Sequence, residues 1–186
     1  MIFTPQFNFP DMKKKIFSVA TVCFVVLAVI LGNKFKTAYD KRQSLGNDIG
    51  IPKFIFYNSE GREYSNDSLI AGRNRLFVYF NTTCEHCQNE AGELRKNCAQ
   101  LPNSMIYFIS TEPISVIKKF KEEYFPGTFS NIVFLKDSSN NYFKTFESMI
   151  TPTVNVYNEN GKLLKIIKGE AKIELLVNVL KNETEK

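Results

Sequence analysis

The hydrophobic pattern changes character twice along the chain. Residues 16–32, IFSVATVCFVVLAVILG, form a run of seventeen positions without a charge, with Lys13, Lys14 and Lys15 before it and Lys34 and Lys36 after it. At 1.5 Å per helical residue that length is the short end of what crosses a hydrocarbon core, and longer than the apolar core of most cleaved signal peptides. Charges and Phe35 follow at once, leaving no small-residue cleavage spacing, so the segment reads as an uncleaved signal anchor. Cys23 within it reads as a small apolar residue. Residues 33–50 are polar, carry Gly46, Asn47, Asp48 and Gly50, and read as a tether.

From Ile51 the period shortens to that of strands. Phe54–Tyr57 and Arg62–Tyr64 flank Asn58-Ser59-Glu60-Gly61, which predicts a hairpin. Leu76–Phe80, Met105–Ile109 and the shorter Ile132–Leu135 are continuous apolar runs, as expected of strands covered on both faces. Val154–Tyr157 and Leu163–Ile167 flank a second Gly-ended turn, Asn158–Gly161. Helical stretches are predicted after Cys84, over Ile114–Tyr124 with Pro113 in the first turn, near Asn141–Phe146, and over Glu170–Asn182. Strand alternating with helix, then a hairpin and a closing helix, predicts an α/β domain with a mixed sheet covered by helices.

Charge changes this picture less than its total suggests. The net charge of +5 resides in residues 1–43, which hold seven basic and two acidic groups; the remainder carries 17 of each. No basic domain face is left for nucleic acid. Four Cys in 186 residues are too sparse for a disulfide scaffold, and a single His excludes a His-rich metal site.

The chemistry concentrates at Cys84-Glu85-His86-Cys87, directly after the strand 76–80 and the loop Asn81-Thr82-Thr83. Where a strand turns into a helix, the first thiol of a C-x-x-C pair meets the unpaired N–H groups and the positive end of the helix dipole, which favour its thiolate. The second lies one turn in. Thiol–disulfide exchange needs that division between an exposed nucleophile and a shielded resolving thiol. Cys87, Ala91, Leu94, Cys98 and Leu101 form one apolar stripe, so Cys87 and Cys98 are expected to face the core. Cys98 is too far along the helix to pair with either thiol. Glu90, three positions after Cys87, is placed to take the Cys87 proton or to be a surface glutamate. His86 can stabilise the Cys84 thiolate, and Glu85 acts against it.

These residues resemble the thioredoxin superfamily, and within it the TlpA-like and ResA-like branch of membrane-anchored bacterial thiol-disulfide oxidoreductases. The resemblance covers residues 51–182. It rests on the strand leading into Cys84-Glu85-His86-Cys87 with Glu90 beyond, on Ile150-Thr151-Pro152-Thr153, which matches the cis-proline loop, and on the closing hairpin and helix. It implies a thioredoxin-like fold with an extra N-terminal hairpin, a single N-terminal transmembrane helix, Cys84 and Cys87 as the catalytic pair, Glu85, His86 and Glu90 as tuning residues, and Thr151 and Pro152 as the substrate platform. No metal or organic cofactor is implied. The implied organisation is a cytoplasmic N-terminus (1–15), anchor (16–32), linker (33–50), domain facing the bacterial periplasm (51–182) and tail (183–186). The implied partners are protein thiols and disulfides and a membrane or envelope redox partner, with no nucleic acid.

The sequence departs from the family in three places. Thr83 replaces the usual tryptophan, the motif interior is Glu-His, and the strand 76–80 lacks a buried acid. Redox potential and direction therefore do not carry over from the family. The anchored architecture and Glu90 match reducing members, so disulfide reduction is the expected activity, with oxidation or isomerisation as the alternatives. A peroxiredoxin-like peroxidase would want threonine where Asn81 stands. A non-enzymatic anchored binding module would have no use for the matched cysteine pair and proline loop.

Overall fold

The computed structural model describes residues 26, 27, 29–34, 36 and 50–184. The chain divides into two units, residues 1–45 and 46–186. In the first, the described residues are helical, and Asn33, Lys34 and Lys36 continue the helix into the segment expected to be a tether. A single glycine such as Gly32 costs a helix about 1 kcal/mol and does not end it. Among the described residues no helix is long and apolar enough to cross a membrane; residues 16–25 of the expected anchor lie outside them, as do residues 1–15.

The second unit runs β1 (Ile55–Tyr57), β2 (Glu63–Ser65), β3 (Asn74–Tyr79), α1 (Glu85–Asn97), β4 (Ser104–Ser110), α2 (Ile114–Tyr124), β5 (Ile132–Lys136), α3 (Tyr142–Thr145), β6 (Thr153–Tyr157), β7 (Leu163–Lys168) and α4 (Ile173–Thr184). One seven-stranded sheet has the order β2-β1-β5-β4-β3-β6-β7. The pairs β3/β4 and β4/β5 are parallel and the others antiparallel. This is the mixed sheet the pattern predicts, and the extra hairpin is present as β1 and β2.

The continuous apolar runs divide by alternation. Leu76, Val78, Ile106 and Phe108 face one core with Ala91, Leu94, Phe120 and Leu176 from α1, α2 and α4. Phe77, Met105, Tyr107 and Ile109 face a second core with Phe54, Phe56, Tyr142 and Phe146. The crossovers β3-α1-β4 and β4-α2-β5 step the same way across the sheet, so right-handed connection places both helices on one face.

The two hairpins close with the same device. Asn58 Oδ1 accepts from the N–H groups of Glu60 and Arg62, at 3.0 and 2.9 Å, and Asn158 Oδ1 accepts from Asn160 and Lys162, also at 3.0 and 2.9 Å. Each turn ends on a glycine in the left-handed region, Gly61 at φ 76° and Gly161 at φ 79°, where a side chain would be strained.

Three expectations shift. Pro113 is the N-cap of α2, preceding its first turn, because its carbonyl accepts from Val116 and Ile117. Cys98 is half-buried, not buried. It still packs against the core, and Leu101 beyond it is buried, but the α-helix stops at Asn97 and a 3₁₀ turn takes over at Cys98, which leaves the thiol partly uncovered. The last helix begins at Ile173 because residues 169–171 are engaged elsewhere.

Candidate redox site

Cys84 is the N-cap of α1, with its carbonyl accepting from Cys87 and Gln88 N–H at 3.0 Å each. The loop before it is pinned from three sides. Thr82 N–H and Oγ donate to the Glu112 carboxylate at 2.7 and 2.8 Å. Gln88 donates to the Thr82 carbonyl at 2.9 Å, and Asn81 Oδ1 accepts from both Thr83 N–H and Oγ. Cys84, Cys87 and Cys98 are free thiols.

The two motif thiols occupy opposite surroundings. Cys84 is partly exposed, and its Sγ donates to the Thr151 carbonyl at 3.7 Å. Burial works against its thiolate, but hydrogen bonds from the Cys87 thiol and backbone, the Thr151 side chain and the His86 backbone outweigh it and hold the pKa below the ordinary value. Cys87 is 1% exposed, and burial pushes its pKa up to about 12 even though the Asn81 N–H donates to its Sγ at 3.5 Å. The thiolate is thus favoured at Cys84 and disfavoured at Cys87.

Thr151 and Pro152 stand against this pair. Their peptide bond is cis, and Pro152 and Thr153 are buried. The residues just before them, Met149 and Ile150, are exposed at 85% and 51%, a pair of apolar side chains in water beside the Cys84 contact. Nothing in the sequence set that pair apart from an ordinary loop.

Glu90 is not a surface glutamate. It is 1% exposed, its Oε2 accepts from the Ala171 N–H at 2.6 Å, and its Oε1 has no partner. Burial raises its pKa to about 7, despite the Ala171 hydrogen bond. Glu85 opens the first turn of α1, exposed. The His86 ring reaches out to Glu170, with Nδ1 at 2.5 Å from Oε1. The His86 backbone N–H is one of the groups that favour the Cys84 thiolate.

Glu112 and Glu170 were invisible as site residues in the sequence. They lie 30 and 84 positions from their partners, and only the fold brings them in. A cavity of about 810 Å³ lies elsewhere, between the β1–β2 hairpin and the segment 138–145; it contains neither thiol. The site is defined by its thiols, not by concavity. Among the described residues, no three His, Cys, Asp or Glu side chains are grouped as metal ligands would be.

Residues 48–166 match the AhpC/TSA family. Among solved structures, the peroxidoxin BcpB from Mycobacterium tuberculosis superposes with a TM-score of 0.61 at 16% identity, covering 72% of this chain and 95% of that one. A secreted M. tuberculosis disulfide oxidoreductase homologous to E. coli DsbE gives 0.56 at 19% identity, covering 68% and 93%. Arabidopsis thaliana ScoI with copper bound gives 0.58 at 14% identity, covering 73% and 99%. Each shares the thioredoxin-like fold. No curated protein sequence matches the chain.

Proposed function

Because the chain belongs to the AhpC/TSA family, we propose that it uses this site as a thiol-disulfide oxidoreductase that reduces protein disulfides in the cell envelope. The observation that carries the reading is the split between the thiols, one lowered and accessible at a helix start, the other raised and buried one turn on. The Cys84 thiolate attacks a substrate disulfide, forming a mixed disulfide and releasing one substrate thiolate. Cys87 gives up its proton and attacks Cys84 Sγ. The second substrate thiol leaves, and the pair ends as a disulfide with two electrons passed to the substrate. Glu90 sits three residues on from Cys87, on the buried side of the same helix, with a pKa of about 7 suited to receiving that proton.

Thr151 and Pro152 form the platform for the substrate chain. The exposed Met149 and Ile150 supply apolar contact suited to an unfolded protein segment. Residues 16–32 anchor the protein in a bacterial inner membrane, with residues 1–15 in the cytoplasm, 33–50 as the linker and the domain in the periplasm. That compartment is one where disulfides persist. A membrane or envelope redox partner returns the pair to its dithiol state.

The test is a Cys87→Ser variant of the full chain expressed in cells. It should accumulate mixed disulfides through Cys84, visible on non-reducing gels and lost on adding dithiothreitol. A variant that traps nothing removes the resolving role. The likeness to a peroxidoxin supports a second reading, thiol peroxidase. Purified protein that consumes hydrogen peroxide faster than it reduces insulin would establish that reading instead.

A further inference from the structure

Three consecutive residues between β7 and α4 each grip a different part of the site. The Gly169 N–H donates to the Pro152 carbonyl at 2.8 Å. The Glu170 carboxylate holds the His86 ring, and the Ala171 N–H donates to Glu90. Gly169 sits at φ 91°, a conformation that turns successive residues toward different partners and that side chains resist. The strap ties the proline loop to α1, and its middle residue takes hold of the motif's only imidazole.

That imidazole is the nearest potential cation to Cys84 in the sequence, two residues away at the open end of the helix, with the exposed carboxylate of Glu85 between them. A cation beside the thiolate stabilises it and makes the disulfide easier to reduce. Here the ring instead makes an exposed pair with Glu170, at 72% and 42% side-chain exposure. The Cys84 thiol is served by backbone groups, Thr151 and Cys87. Asn89 also bonds to the Glu170 carboxylate, and Glu90 and Glu93 are the other acids of this helix face.

We propose that Glu170 is a positioning residue that draws the His86 ring off the Cys84 thiol and so keeps the redox pair from becoming strongly oxidising. This rests on the oxidoreductase reading for its meaning, but its test does not depend on turnover. In the detergent-solubilised full chain, the pH dependence of iodoacetamide labelling is followed at the Cys84 peptide by mass spectrometry. In Glu170→Gln the labelling midpoint should fall by about one pH unit, because the freed ring reaches the thiolate. His86→Ala alone should leave the midpoint within a few tenths of wild type. The double variant should match His86→Ala.

Two outcomes overturn the proposal. If Glu170→Gln leaves the midpoint in place, the pair is only a surface contact. If the fall persists in the double variant, it comes from losing a negative charge, not from the ring. Circular dichroism of each variant shows whether the fold is retained, and Glu170→Asp, which keeps the carboxylate, should restore most of the wild-type midpoint. Should Cys84 prove inactive in exchange while these midpoints move as stated, the oxidoreductase reading fails and the role of Glu170 stands.

Discussion

Two carboxylates, each 1% exposed, are buried in different regions of this domain and are treated differently. Asp137, where β5 runs into α3, is saturated. Its oxygens accept from Ser139 N–H and Oγ, Asn141 N–H and Tyr142 N–H, at 2.7 to 3.2 Å. Glu90, on α1 beside the redox pair, has one donor and one oxygen without a partner. A buried charge that is fully hydrogen-bonded holds a loop in shape, whereas one left half-satisfied is ready to exchange a proton. The contrast separates a part of the molecule that holds the fold from the part in which the proposed chemistry would take place.

The largest test of that separation is Cys84→Ser. It should lower the rate of reduction of a model protein disulfide by roughly 10³-fold or more, as loss of a nucleophile does, with the urea unfolding midpoint nearly unchanged. Next is Asp137→Ala, expected to cost about 3–4 kcal/mol in urea unfolding because several backbone donors lose their acceptor. It should leave the Cys84 labelling midpoint where it was. A shift there would show that the two regions are coupled.

Glu90→Gln gives the opposite sign. Its folded pKa is raised from 4.5 to about 7, so the folded state binds the proton more tightly than the unfolded chain. The resulting stability is complete below pH 4.5 and lost as pH climbs through 7, about 3 kcal/mol in all. The glutamine variant should flatten that slope and be more stable than wild type at pH 8, measured by urea unfolding at pH 5 and 8. A variant less stable at both would put Glu90 in the same class as Asp137.

The smallest effect is Tyr142→Phe. The hydroxyl shares its one proton between Asn155 Oδ1 at 3.1 Å and the Phe77 carbonyl at 3.3 Å, while the ring stacks on Tyr79 and Phe146. The expected loss is about 1 kcal/mol, with exchange activity unaffected.

The strands and turns were legible because their physics is local. Runs such as Met105–Ile109 need no partner to announce a buried strand, and Asn-x-x-Gly carries its own turn chemistry. Cys84 and Cys87 were legible for the same reason, since a helix start acts over four residues. What failed depended on distance or on where an element stops. Full burial of Cys98 assumed a helix that ends one residue earlier, and the last helix, expected to start at Glu170, begins at Ile173. The real partner of Glu170, His86, is 84 positions away. The place of β1 beside β5 likewise follows from packing of Phe54 and Phe56 against Phe146, which no local pattern reveals.

That placement bears on the order in which the domain assembles. β1 joins β5 at the single pair Tyr57 with Lys136, whereas β3, β4 and β5 are laced by two parallel ladders over neighbouring crossovers. The hairpin is held to β5 by rings more than by ladder, and we expect it to be the last piece to dock. We expect Phe56→Leu to quicken unfolding and leave the refolding rate nearly untouched in stopped-flow urea jumps, the kinetic mark of a contact made after the barrier.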